Sequence, residues 1–207
     1  MTLQAWALFC ATETLLCLNP GPSALLVISL GLTRGQVAGM LATVGVLAAN
    51  AVYFALSASG LAAVHCLSAE AFLAIKWLGA AYLIFLGSRM ILRSFRVRAA
   101  SPSPPASTST RRSFWQGFLT QGANPNLLVY FTAILPQFVA PTEPLAPQVA
   151  ILALSSFAIE FTVLFVYSAL AHRAGRRAAP RFRVVVDRVG GGLLVAAGAG
   201  LASLRRG

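Results

Sequence analysis

Two short stretches set polar groups beside helix-breaking residues inside apolar sequence: Leu18-Asn19-Pro20-Gly21-Pro22 and Ala123-Asn124-Pro125-Asn126. A proline within a helix removes one backbone donor and clashes with the preceding turn. Asn is a good N-cap and Pro is favoured at the first helical position, so each pair reads as a stop followed by a restart. The second half-helices are expected to begin at Pro20 and at Pro125. With Asn19 as the cap and no N–H on Pro20 or Pro22, Gly21 and Ser23 are left as backbone donors. Asn126 and Leu127 hold the equivalent positions at the second break. The start of a helix carries partial positive charge, which favours an anion such as a carboxylate. A plain proline kink is the alternative for either stretch alone. Two interruptions at matching places instead point to a transport site, since irregular backbone survives in lipid only when buried in protein or lining a cavity.

The remaining candidates are ionisable or amide side chains within apolar runs. Glu13 and Glu160 are intramembrane carboxylates, costly unless paired, hydrated or protonated, and suited to carrying a proton. A buried hydrogen bond between helices is the other reading for both. Asn50 is the one strongly polar residue near the middle of its segment. Lys76 lies a couple of turns inside the third segment, where it either snorkels to the interface or neutralises Glu13 or Glu160. Gln116, Thr120 and Asn124 recur at i, i+4 and form one polar stripe leading into the second break, equally compatible with interhelical hydrogen bonding. Tyr82, Tyr130 and the Phe-rich runs read as packing.

The elements that carry these residues follow from hydropathy. Of the 207 residues, 57% are hydrophobic and only 10% charged, with a mean hydropathy of +0.76. Such a chain is a polytopic α-helical membrane protein. The net charge of +11 would suggest nucleic acid in a soluble protein. Here the arginines fall between apolar segments, where topology and anionic lipid explain them, and no nucleic-acid partner is expected. A cleavable signal peptide is not expected either: Met1-Thr2-Leu3-Gln4 lacks a basic region, and the apolar run after it is long and carries Glu13. Cys10, Cys17 and Cys66 have no ligand spacing and read as small apolar packing residues.

Six segments are expected, at about 3–32, 37–64, 69–92, 114–139, 148–171 and 184–204. The first would reach about 45 Å as a straight helix, more than the hydrocarbon core requires. Residues 93–113 include a Ser/Pro/Thr-rich run that cannot bury a core and read as a flexible cytoplasmic linker. The chain thus divides into a three-helix repeat at 1–92 and a second at 114–207, forming one membrane domain. Segments one and four are broken at Asn-Pro; segments two and five each carry one central polar residue, Asn50 and Glu160. An odd number of spans per half makes the two repeats inverted. Most lysines and arginines lie in the first, third and fifth loops, which places both termini outside the cytoplasm.

Several runs carry a family resemblance. Asn19-Pro20-Gly21-Pro22-Ser23-Ala24-Leu25-Leu26, then Lys76-Trp77-Leu78-Gly79-Ala80-Ala81-Tyr82-Leu83 with Gly87, then Phe114-Trp115-Gln116-Gly117-Phe118 and Leu135-Pro136-Gln137-Phe138 appear in order along nearly the whole chain. Together they resemble the LysE/RhtB amino-acid exporters. The resemblance implies a bacterial inner-membrane exporter of amino acids or their derivatives, driven by proton motive force. Two positions depart from the family pattern. Asn126 stands where the family usually has a lysine after Asn-Pro, and Asn50 replaces an acid common in the second helix. Glu160 matches an acid often present in the fifth.

Asn126 brings no charge, so the site is expected to hold a zwitterion's carboxylate through donors around Gly21, Ser23 and Asn126. Leu25, Leu127 and Phe131 would provide apolar walls. A neutral amino acid or close derivative is therefore expected, exported with proton coupling by alternating access, with no cofactor and no enzymatic activity. Self-association into a homo-oligomer stays open. A divalent-metal exporter would want clustered His, Cys or carboxylate ligands, whereas His65 and His172 fall on opposite sides of the membrane. A membrane-embedded hydrolase would need a nucleophile and base or a metal motif, and none is present.

Overall fold

Lipid-facing helices need no amphipathic stripe, and the first helix shows none. In α1, Leu3–Leu18, only Phe9 and Glu13 are buried, while Leu3, Leu8 and Leu15 face outward. The computed structural model describes residues 1–58, 69–96, 110–177 and 180–203. Thr2 caps α1 by accepting from the Ala5 N–H at 3.2 Å. The helix stops at Leu18 because Pro20 pushes the residue before it out of helical geometry, and Asn19 is extended at φ −84°, ψ 106°.

The restart differs from expectation. It occurs at Pro22, with Gly21 as N-cap, not at Pro20. Asn19 caps the end of α1, its N–H donating to Leu16 O, and does not cap the start of the next helix. Two prolines compete for the first helical position, and Pro22 occupies it. The resulting α2, Pro22–Arg34, lies at 55° to α1. It ends at Gly35, whose φ of +96° suits glycine and is strained for any L side chain.

Beyond this corner come α3 at Gln36–Ala58 and α4 at Ala69–Arg96. Then α5 covers Thr110–Gly122 and α6 Pro125–Val129. The chain continues from α6 as a wide π turn, Tyr130–Ile134, and a tight 3-10 turn, Leu135–Phe138. Finally α7 runs Leu145–Arg177 and α8 runs Pro180–Ser203. Of the stretch expected as a linker, Arg93–Arg96 extend α4 and Thr110–Ser113 open α5. Residues 97–109 lie outside the described residues, as do 59–64 of the second segment.

Among the described residues, Gln36–Ala58, Leu145–Gly175 and Val184–Ser203 are long and apolar enough to cross a bilayer, and the bent pair α1–α2 passes together. No strand occurs among the described residues. The protein is a multi-pass helical membrane protein.

Close helix pairs meet through small residues, as bundles in lipid require. A Cβ added to Gly87 of α4 would meet Gly191 O of α8, and one on Gly198 of α8 would meet Ala80 O of α4. The α3–α5 pair closes over Gly45 and Gly117. The α7 helix packs on α1, α2 and α3, with Ser168 against Gly31 and Gly39.

Two apolar clusters result. One gathers Leu26, Val27, Leu30, Val46 and Leu83. The other gathers Phe9, Phe54, Phe131, Phe138 and Leu152. Along α3, Asn50 lies between Val46 of one cluster and Phe54 of the other. Along α7, Glu160 lies between Leu152 and Leu164. A polar layer thus separates two greasy ones.

Candidate functional site

Helix interruptions leave terminal carbonyls without intrahelical partners. Each break here receives a tyrosine from a distant helix. The Tyr167 hydroxyl of α7 donates to Leu18 O at 3.0 Å, and the Tyr53 hydroxyl of α3 donates to Gly122 O at 3.1 Å. Both breaks are thereby held open against the polar layer. They border one cavity of about 640 Å³, lined by α1, α2, α3, α5, α6, α7 and α8.

Asn19, Pro20, Gly21, Pro22, Ser23, Asn124 and Asn126 all line that cavity, as do Glu13, Asn50 and Glu160. Pro125 opens α6. Lys76 falls within α4, but its side chain lies outside the described residues.

A continuous hydrogen-bond chain joins the two breaks to Glu160. The Ser23 hydroxyl donates to Gln121 Oε1 at 2.5 Å, and Gln121 Nε2 donates to Asn50 Oδ1 at 2.9 Å. Asn50 Nδ2 in turn donates to Glu160 Oε2. Asn124 Nδ2 also reaches Gln121 Oε1, at 3.4 Å. Gln121 is therefore the hub of the network. Ser23, Asn50, Gln121 and Asn124 are all buried, and Glu160 is partly buried because it faces the cavity.

Gln121 does not belong to the stripe expected from Gln116, Thr120 and Asn124, which the structure divides. Gln116 accepts from Arg34 Nη1 at 3.2 Å, and Thr120 is fully buried beside the Tyr82 hydroxyl. Only Asn124 of the three reaches the cavity. Gln121 stands at i, i+3 from Asn124 and so shares its helix face, a spacing that an i, i+4 stripe does not include.

The backbone donors divide as well. At the first break, no hydrogen bond is made by the N–H groups of Gly21, Ser23 and Ala24 among the described residues. These three open the 13-residue α2 and line the cavity. At the second break the Asn126 N–H is taken by Asn124 Oδ1 at 3.1 Å, and the Leu127 N–H by Asn124 O at 3.0 Å. The donors expected there are thus already satisfied, because Asn124 serves as an N-cap. Asn126 contributes its side chain alone.

The apolar wall needs a similar correction. Leu25 and Leu127 line the cavity, whereas Phe131 packs edge-on to Phe54, with ring centroids 4.8 Å apart, inside the aromatic cluster. Tyr130, expected to pack, lines the cavity instead, joined by Cys17 and Ser156. These residues were hidden because neither the bend at Pro22 nor the π turn at Tyr130 shows in hydropathy.

Breaking the hub has a direct stability cost. Gln121→Leu leaves the Ser23 hydroxyl and the Asn50 carbonyl without partners, each costing about 1–3 kcal/mol. Thermal unfolding in detergent is expected to show a clearly lowered midpoint. An unchanged midpoint would mean that the chain of hydrogen bonds is not maintained in solution.

Residues 14–205 match the family model described as LysE type translocator. The chain is 30% identical over 208 residues to the homoserine/homoserine lactone efflux protein of Salmonella typhimurium, covering 99% of each chain. It is 34% identical over 182 residues to a membrane protein of Vibrio cholerae, covering 85% of each. It is also 32% identical over 126 residues to the leucine efflux protein of an Enterobacter species, covering 59% of this chain and 57% of that one. No solved structure matches the chain.

Proposed function

The chain belongs to the LysE type translocator family, and on that footing we infer that it is a secondary active exporter of neutral amino acids or close derivatives. The observation that carries this reading is the single cavity in which both helix breaks, Asn50 and Glu160 meet through one hydrogen-bond chain. About 640 Å³ lies within the usual range for small-molecule sites. The free N–H groups of Gly21, Ser23 and Ala24 offer a carboxylate two or three donors at the positive end of α2. Leu25, Leu127 and Val163 leave room for an apolar or uncharged side chain. The names of the Salmonella and Enterobacter relatives, homoserine and leucine exporters, point to the same substrate class.

Packing supports two inverted repeats working by alternating access. The third and sixth segments, α4 and α8, pack on each other, as do the second and fifth, α3 and α7. The second also packs on the fourth, α5, and the fifth on the first, α1 and α2. These pairings are unchanged when the halves are exchanged, whereas the packing of the first segment on the second, α2 on α3, has no equal between the fourth and the fifth. The tyrosine caps follow the same exchange, with the second segment capping the break in the fourth and the fifth capping the break in the first.

Both termini are read as lying on the outer side of a bacterial inner membrane. The Met1 amino group pairs with Glu143 at one end of the bundle, while Arg34 and Arg188 bond Gln116 and Ser94 at the other. An excess of arginine marks the cytoplasmic end. Glu160 is the proton carrier in this reading.

Proteoliposomes loaded with labelled leucine, threonine, homoserine or lysine provide the test. Leucine, threonine or homoserine flux well above that of empty liposomes, and above lysine flux, is the expected result. Preferential lysine export with no measurable flux of the neutral compounds would sink the reading.

A further inference from the structure

Among the described residues, the cavity lining holds two carboxylates, Glu13 and Glu160, and no Lys, Arg or His side chain. The two acids are held very differently. Glu160 ends the amide chain and receives Asn50. Glu13 is only 6% exposed, and its hydrogen-bond partners are neutral. Its Oε1 accepts from the Ser156 hydroxyl and faces Cys17 Sγ at 4.0 Å. Tyr130, on the same cavity wall, turns its buried hydroxyl toward Glu13 and Ser156 and adds another neutral group beside the carboxylate. A buried carboxylate lacking a cation is a strongly unfavourable arrangement, and truncating one partner of such a pair shows how much the missing charge matters.

We propose that Glu13 is the ammonium-binding residue of the cavity, so that a free protonated amine is the feature every substrate must carry. This rests on the exporter reading for its physiological meaning, but the binding claim can be examined separately. The amine meets a full charge at Glu13, whereas a substrate carboxylate meets only the partial charge of one helix start, equivalent to roughly half a unit. The amine is therefore the stronger determinant. Ligands with an amine and no carboxylate, such as amino-acid amides and lactones, belong to the substrate class. N-acylated amino acids, which retain the carboxylate and lose the positive charge, do not. Glu160 remains available for a proton while Glu13 holds the amine, so substrate and coupling ion occupy separate carboxylates.

Ligand-induced thermal stabilisation of the purified full-length protein in detergent tests this with leucine, leucinamide and N-acetyl-leucine. Leucine and leucinamide are expected to raise the unfolding midpoint, and N-acetyl-leucine is not. Glu13→Gln is expected to weaken leucinamide binding by roughly tenfold or more. Glu143→Gln, which removes a carboxylate outside the cavity, should leave it unchanged. N-acetyl-leucine binding as tightly as leucine overturns the proposal. So does a Glu13→Gln variant that binds leucinamide within about twofold of wild type, or a failure of all three ligands to bind. If Glu13→Gln does not fold, the ranking on the wild-type protein decides. Amine-dependent binding without leucine flux in proteoliposomes would sink the exporter reading and leave Glu13 standing. Leucine flux unaffected by N-acetylation of the substrate would do the reverse.

Discussion

Glu160→Gln is expected to abolish accumulation of substrate against its gradient while leaving downhill exchange measurable. With one proton exchanged per substrate, each unit of pH gradient supports about a tenfold concentration ratio, since about 1.4 kcal/mol corresponds to a factor of ten. A gradient of two units would sustain roughly a hundredfold ratio in the wild type and a ratio near one in the variant. Glutamine preserves the shape and can still accept from Asn50 Nδ2, so the hydrogen-bond chain need not collapse. What it loses is the change between acceptor-only carboxylate and donor-bearing acid.

That change matters because of the wiring. Asn50 and Gln121 each have a donor end and an acceptor end, and the chain runs from the Ser23 hydroxyl to Glu160. A proton added at Glu160 favours the reverse orientation of both amides. This would release Ser23, at the start of α2, from donating to Gln121. Proton loading and the carboxylate donors around Ser23 would thus be coupled through two amides. Measuring uphill transport at an imposed pH gradient decides the matter: a Glu160→Gln variant that accumulates substrate as well as wild type rules out Glu160 as the coupling site.

Gly117→Val is expected to produce the largest loss of folded protein among substitutions outside the cavity. A Cβ at Gly117 would meet the carbonyl, C and Cα atoms of Ala42, and one at Gly45 would meet the carbonyl of Phe114 and the N–H of Phe118. The α3–α5 crossing is therefore backbone against backbone on both sides, and no flexible side chain can give way. Overpacking typically costs about 1–3 kcal/mol, and more where the backbone itself must move. The penalty extends to the site, because α3 carries Asn50 and α5 carries Gln121. Separating the helices stretches that hydrogen bond. Gly192 and Gly200 have nothing within 4 Å of an added Cβ, so Gly192→Ala and Gly200→Ala are expected within about 0.5 kcal/mol of wild type. Size-exclusion profiles and thermal midpoints in detergent compare the three. A Gly117→Val protein as monodisperse and stable as the alanine controls would refute the close crossing.

Much of this protein is written locally. Membrane residence follows from apolar runs whose mean hydropathy needs no partner to be read. The stops at Leu18 and Gly122 follow from rules spanning three or four residues: proline restricts the residue before it, and Asn or Gly can cap. Glu13, Asn50 and Glu160 were singled out by the cost of a polar group in lipid, which does not depend on the fold. The family resemblance lies along the chain in order and could be read the same way.

Partnership was not local. Whether Pro20 or Pro22 begins α2 depended on how the chain turns through 55° between two packed helices. Asn126 lost its backbone donor to Asn124, and Phe131 turned into an aromatic cluster, because the π turn at Tyr130–Ile134 rotates the faces of that segment. Gln121 became the hub only when residues 98 and 71 positions away in sequence came within hydrogen-bond reach. The sequence by itself determined which polar groups lipid would not tolerate alone. Tertiary structure alone decided which of them would meet, because hydrogen bonds are satisfied between helices and no local pattern encodes the distance between two helices.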